Sequence, residues 1–289
     1  MKKIRKASFS GSWYPASASA CEKEIQAFLT ESSFEAVPKA DYIGGIVPHA
    51  GWYFSGSLAC HVISALSDPE SQQKQPDVIV VFGMHMHPHS TPCIMTEGAW
   101  ETPFGNIEID SELAGSLANK ISFNIETANH FTPDNTIELQ LPFIKYFFNS
   151  SRLIPIGVPP DNKAMEIARS LAKMTQQSGV TMKVVGSTDL THYGSNYGFA
   201  PAGTGKEAVD WARDHNDQKA IDRMLKMDPE GLITEGLANQ NACCSGAAAA
   251  AITTATSLGA TKSNYIGYSS SYEKHPGDSF VGYTGILFH

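Results

Sequence analysis

Gly44-Gly45-Ile46-Val47-Pro48-His49-Ala50-Gly51-Trp52 is the stretch that decides the fold. The apolar, strand-like run from Tyr42 to Val47 ends at a proline and a histidine. Gly51 then permits a sharp turn, and Ser55-Gly56-Ser57 opens a helical pattern. Strand, turn and helix in that order place the His49 imidazole at the carboxyl end of a buried strand. Open α/β sheets hold their ligands in the crevice at that end. A second run, Val78-Ile79-Val80-Val81-Phe82-Gly83-Met84-His85, ends in the same way. Two such histidines and a later cysteine pair are the raw material of a metal site. Taken singly, each histidine also fits an ordinary loop hydrogen bond.

Outward from these two runs, strand-like and helical segments alternate. Strands are expected at Tyr42–Val47, Val78–Gly83, Leu153–Val158, Met182–Gly186, Tyr265–Ser269 and Gly282–Phe288. Helical patterns cover Ser19–Thr30, Gly56–Leu66, Ser111–Lys120, Ile137–Phe148, Lys163–Gln176, Lys206–Lys226, Pro229–Ala238 and Ser245–Thr254. Alternation of this kind predicts an α/β sandwich around a mostly parallel sheet. Near-continuous apolar strands fit a sheet covered on both faces. The last two strands lie close together, so part of the sheet is expected to be antiparallel. Asp134 or Asn135 can cap the helix near Ile137, and Pro142 must sit in a first turn or kink that helix.

The chain has 289 residues, 42% of them hydrophobic, enough for a large core, and no linker composition divides it. One domain over residues 1–289 is the expectation. The formal charge of −8, without a basic patch, argues against nucleic acid as a partner. The basic start Met1-Lys2-Lys3-Ile4-Arg5-Lys6 is not followed by the apolar core of a signal peptide. The Ala-rich stretch from Gly246 to Ala255 is too short to span a bilayer. Five cysteines without framework spacing fit reduced thiols in a cytoplasmic protein.

Two further runs carry chemistry. Gly186-Ser187-Thr188-Asp189-Leu190-Thr191-His192-Tyr193 follows an apolar strand. Asp189 and His192 are three apart, so one helical turn would bring them to one face. A carboxylate that accepts from an imidazole fixes its tautomer and makes it a competent general acid or base. The plainer reading is a capping aspartate beside an exposed histidine. Asn241-Ala242-Cys243-Cys244-Ser245-Gly246 precedes the Ala-rich helix. A thiol at a helix N-terminus has a lowered pKa and is both a nucleophile and a soft ligand. Consecutive side chains ordinarily point apart, so one cysteine is expected to ligate and the other to pack; two buried hydrophobes are the alternative. Gly203-Thr204-Gly205-Lys206 lacks the remaining parts of a phosphate-binding loop. A Ser187/Asp189/His192 hydrolase lacks the Gly-x-Ser-x-Gly elbow.

In order along the chain these motifs resemble the Memo family, also called AmmeMemoRadiSam system protein B. The resemblance is carried by Ala7–Pro15 with its Gly-Ser-Trp-Tyr-Pro core, Val47–Gly56, Trp100–Gly105, Thr136–Phe143, Ser187–Tyr193, Asn241–Cys243 and Asp278–Tyr283. It implies a three-layer α/β sandwich with a central, mostly parallel mixed sheet. That fold is similar to the catalytic subunit of class III extradiol ring-cleaving dioxygenases (LigB-like). It also implies a pocket of two histidines and one cysteine, matching His49, His85 and Cys243, with His87 and Cys244 as the other candidates. Where the family usually shows Gly-Pro-x-His, Gly83-Met84-His85-Met86-His87 stands here. The family's glycine after the cysteine is Cys244, and its Glu-His-Ser is Asp134-Asn135-Thr136, so one pocket histidine is replaced by Asn135.

Two imidazoles and a thiolate imply a divalent ion, Fe(II) first, with Cu and Zn also fitting. His192 with Asp189 would then move protons, and Ser187, Tyr193 and Trp13 would face a substrate. The activity expected on this basis is that of a dioxygenase-like oxidoreductase. The alternative is a non-catalytic metal- or ligand-binding adaptor for a small molecule or peptide. The family's second name points to a radical-SAM partner.

Overall fold

The computed structural model describes residues 3–31, 34, 37–67 and 75–289. Met1 and Lys2 of the basic N-terminal run lie outside them. Arg5 of that run is buried in the two-residue strand Ile4–Arg5, ion-paired to Glu126 at 2.6 Å and stacked on Trp100.

The central strands form where the apolar runs predict. Gly44–Val47, Met182–Ser187, Val78–Gly83 and Arg152–Gly157 pair in that spatial order, all parallel. The six residues of Val78–Gly83 are all buried, which suits a strand covered on both faces. Antiparallel pairings flank this centre. Phe280–Phe288 pairs with Gly44–Val47 on one side, and Cys93–Met95 pairs with Arg152–Gly157 on the other. Ser263–Ser270 pairs antiparallel with Phe280–Phe288, closing a nine-stranded mixed sheet among the described residues.

Two glycines show how the faces are covered. Side chains alternate across a strand, so Gly45 and Ile46 face opposite layers. A methyl on Gly45 would come within 2.6 Å of Val62 in the helix Trp52–Ser67. On the other face Gly186 pairs with Ile46. A methyl there would come within 2.7 Å of Ala251 and 2.8 Å of the Ala247 carbonyl oxygen. Both belong to the Ala-rich helix Ser245–Ser257. Short side chains on strand and helix let that backbone lie directly on the sheet. The alanine run is therefore a packing device, and the result is a helix–sheet–helix sandwich. Among the described residues no helix is long and apolar enough to cross a membrane.

The structure departs from the expected elements in three places that bear on the site. The Ile137–Phe148 helix is split into Asn135–Glu138 and Leu141–Phe147, with Pro142 in the first turn of the second piece, where its missing N–H costs nothing. At the break, Gln140 Nε2 donates to the Pro48 carbonyl at 2.9 Å and holds the end of the first strand. The Asp189–His192 segment is not a helical turn. His192 and Tyr193 form a short strand antiparallel to Phe280–Val281.

The Lys206–Lys226 helix is interrupted by a π-helical stretch, Ala212–Asp217. It ends on a buried acid. Asp217 accepts from the backbone and hydroxyl of Thr191 and from Tyr268 Oη. Burial pushes its pKa up from the ordinary 3.8 to about 6, against those hydrogen bonds. The folded state thus holds the Asp217 proton more tightly than the unfolded chain. Its stabilising effect is complete below pH 4 and is lost as pH rises through 6. A shift of that size corresponds to about 3 kcal/mol. In Asp217→Asn the Oδ1 acceptor is kept and the charge is absent, so urea unfolding between pH 4 and 7 is expected to lose that component of its slope. An unchanged slope in the variant would contradict the assignment.

Candidate metal centre

Three neighbouring parallel strands deliver the site. Gly44–Val47, Met182–Ser187 and Val78–Gly83 run in one direction, so the loops carrying His49, Asp189 and His85 emerge at one edge. Cys243 arrives from across the sheet, just before the Ala-rich helix. Its backbone N–H donates to the Asp189 carbonyl at 3.1 Å, and the Asp189 N–H points back to Cys243 Sγ at 3.3 Å.

His49 is buried and held on three sides. Its backbone N–H donates to Asp189 Oδ1 at 2.7 Å, and Asn135 Nδ2 donates to its carbonyl at 2.8 Å. Its Nδ1 lies 3.0 Å from Ser187 Oγ. The single Ser187 hydroxyl proton is used on the Thr136 carbonyl at 2.8 Å, so Ser187 must accept from His49. Nδ1 therefore carries a proton, and Nε2 faces Cys243 Sγ at 3.3 Å. Ser187 orients the imidazole and does not line the cavity. It is fully buried with its proton engaged, which leaves no exposed nucleophile for the hydrolase reading.

His85 is set by a different device. Met84 adopts φ 72°, a left-handed conformation rarely tolerated without glycine, and its N–H is tied to Thr136 Oγ1 at 2.6 Å. This bend turns His85 toward His49, with ring centroids 5.0 Å apart and planes at 82°. Asp134 takes both the backbone N–H and Nδ1 of His85, at 3.2 and 3.1 Å. The other Asp134 oxygen caps the Asn135–Glu138 helix, as the sequence allows. Asp134 is thus an orienting carboxylate as well as a cap, a role the capping signal alone conceals. Its hydrogen bond, with that of Cys243, pushes the His85 pKa up to about 10. Burial opposes ionisation of Asp134, but the His85 contact prevails and holds it at about 2.

Charge is concentrated here. Burial works to raise the Cys243 pKa, yet contacts with Cys244, His49 and His192 outweigh it and hold the thiol well below its usual range. Burial likewise opposes a charged His49, and Asp189 and Cys243 outweigh it upward. A thiolate is the ligand form of cysteine. The ligand atoms of His49, His85, Cys243 and Cys244 all lie within 4.8 Å of one another, so this group could hold a metal ion. His87 is not part of it.

Beside this group opens a cavity of about 560 Å³. His49, His85, Asp189, His192 and Asn135 face it, and Trp13, Tyr53, Phe54, Tyr197 and Tyr283 supply aromatic walls. Cys243 reaches His49 without itself lining the space. His192 Nε2 lies 3.9 Å from Asp189 Oδ2 and makes no hydrogen bond there, although it is buried. Tyr193 does not reach the cavity. Its ring stacks on Phe280 at 4.9 Å, and its hydroxyl bonds Gly203 and Ala202. Sequence patterning had no signal for Tyr197, which lies on a short surface turn and packs 4.9 Å from His192.

A helix–sheet–helix sandwich around a mixed, centrally parallel sheet, with a histidine- and cysteine-rich pocket at the strand ends, defines the class of fold. The chain belongs to the Memo family: the profile described as Memo-like protein matches residues 5–287. A MEMO1 family protein of Methanococcoides burtonii is 30% identical over 288 residues, covering 98% of this chain and 99% of that protein. Another, from Methanosarcina barkeri, is 31% identical over 293 residues at the same coverage. Among solved structures, the uncharacterized protein JW3007 of Escherichia coli K12 superposes with a TM-score of 0.51 at 10% identity. The match covers 85% of this chain and 99% of that one, a likeness of fold alone.

Proposed function

We propose that this chain binds a divalent metal ion through His49 Nε2, His85 Nε2 and the Cys243 thiolate, and that the neighbouring cavity admits a small, flat ligand to that centre. The observation that carries the reading is the proton arrangement. Ser187 and Asp134 each accept the Nδ1 proton of one imidazole, which leaves both Nε2 atoms to an ion that displaces their protons beside a thiolate. A bound ion of this kind supplies Lewis-acid polarisation and, if Fe(II) or Cu, redox capacity. The residues of the chain then do the rest. Trp13, Tyr197 and Tyr283 give apolar faces for a ring, and His192, held near Asp189, exchanges a proton with the ligand. On this basis the chain acts as a dioxygenase-like oxidoreductase on a catechol-like class of substrate.

A second reading, metal or ligand binding without turnover, is supported by Asn135 at the cavity wall. Its amide is occupied with the His49 carbonyl and offers no ionisable group to the cavity. Anaerobic purification followed by metal analysis and O₂-uptake assays with catechols separates the two. Bound iron with substrate-dependent O₂ consumption is the expected outcome of the enzymatic reading. Stoichiometric metal with no turnover on any catechol overturns it in favour of the binding role.

A further inference from the structure

We propose that Cys244 is a fourth protein ligand, so that His49, His85, Cys243 and Cys244 enclose one tetrahedral ion. The inference rests on the metal reading above and adds to it the closure of the coordination sphere.

Adjacent cysteines seldom share an ion, because consecutive side chains diverge. Here the chain bends between them. Cys244 is the residue before the Ser245–Ser257 helix and has φ −123° and ψ 51°, outside the helical region. Its N–H is fixed to Thr188 Oγ1 at 3.0 Å, while the Cys243 N–H is fixed to the Asp189 carbonyl at 3.1 Å. One strand-end loop therefore pins both backbones, and the two sulfurs come to 3.8 Å.

That spacing is what a shared ion requires. Metal–sulfur bonds of about 2.3 Å at a tetrahedral angle place two sulfurs about 3.8 Å apart. With metal–nitrogen bonds of about 2.0–2.1 Å, a nitrogen and a sulfur lie about 3.6 Å apart. Cys243 Sγ and His49 Nε2 are at 3.3 Å, within a small adjustment of that value. Among the described residues, the other polar contact of Cys244 Sγ is a long one to the Met84 carbonyl at 3.5 Å, easily given up.

Binding then releases the proton of the Cys244 thiol to solvent. Two imidazoles and two thiolates form the closed set that suits Zn(II).

The test is anaerobic titration of the full chain with Co(II), followed by Zn(II) competition, in the wild type, Cys244→Ser and Cys243→Ser. Circular dichroism confirms that each variant is folded, and the serine variants keep side-chain size. The expected wild-type spectrum shows intense tetrahedral ligand-field bands and near-ultraviolet sulfur-to-cobalt charge transfer from two thiolates. Cys244→Ser is expected to lose about half of that charge-transfer intensity and to bind Zn(II) at least about tenfold more weakly. Full charge transfer and unchanged Zn(II) affinity in Cys244→Ser, with loss in Cys243→Ser, would overturn the fourth ligand and leave the three-residue centre standing. A wild type that takes up neither ion would remove both.

Discussion

Replacing His49 by alanine is expected to weaken metal binding more than 100-fold while leaving the chain folded. Loss of an outer partner of a ligand typically costs about 10–100-fold, and loss of the ligand itself costs more. The fold survives for a local reason. The backbone N–H of residue 49 still donates to Asp189 Oδ1, so the buried carboxylate keeps its closest partner. Ser187 still donates to the Thr136 carbonyl and loses only an incoming hydrogen bond. The stability cost is therefore about 1–2 kcal/mol, the range for one lost buried hydrogen bond. Titration of metal-free protein with Zn(II), beside a urea unfolding curve, measures both quantities. Equal affinity in the variant would show that the imidazole is a packing residue.

The second large effect is structural and centres on Glu138, beneath the segment that carries Trp13. Glu138 is almost wholly buried and accepts from the N–H groups of Ser8 and Phe9 at 2.9 and 2.7 Å and from Tyr14 Oη at 3.1 Å. One carboxylate thus ties down the segment that carries Trp13 to the cavity wall. The Trp13 carbonyl in turn accepts from the Trp52 N–H at 2.9 Å, at the start of the Trp52–Ser67 helix. Glu138→Ala strands three donors at once. The buried Tyr14 hydroxyl costs about 1–3 kcal/mol when stranded and the part-buried Ser8 and Phe9 N–H groups less each, so the expected loss is about 3–5 kcal/mol. Glu138→Gln keeps one oxygen acceptor and is expected to lose about half as much. Urea midpoints of the two variants give the ranking, and metal binding measured on the folded population is expected to stay near wild type. An unchanged midpoint for Glu138→Ala would mean that the segment is held elsewhere.

Both predictions draw on sequence signals of different clarity. The strands under His49 and His85 are legible because burial on both faces leaves an almost unbroken apolar run, and the chain must turn where Pro48 and Gly51 stand. The Ala-rich stretch is legible as a helix, but its seat on Gly186 is not, since the contact joins residues 65 positions apart in sequence. The bend at Met84 was hidden because nothing in the residue type announces a positive φ. The neighbourhood of Asp189 and His192 could be read from spacing, but its cause could not. A strand pairing with Phe280–Val281 brings them together, and such partners are set by the rest of the fold. Tyr193 illustrates the opposite error. Next to a site histidine it reads as a pocket residue, yet alternation along the strand sends it into a separate aromatic cluster with Phe280. The short strands Cys93–Met95 and Asn124–Glu126 carry only three residues each, too few for a periodic pattern.

The convergence of His49, His85 and Cys243 on one ion is the central claim, and X-ray absorption at the metal edge of the Zn(II)- or Fe(II)-loaded protein tests it most directly. The account predicts a mixed shell, with sulfur at about 2.3 Å and the multiple-scattering pattern of two imidazoles. A shell of light atoms only, with no sulfur scatterer, would contradict it.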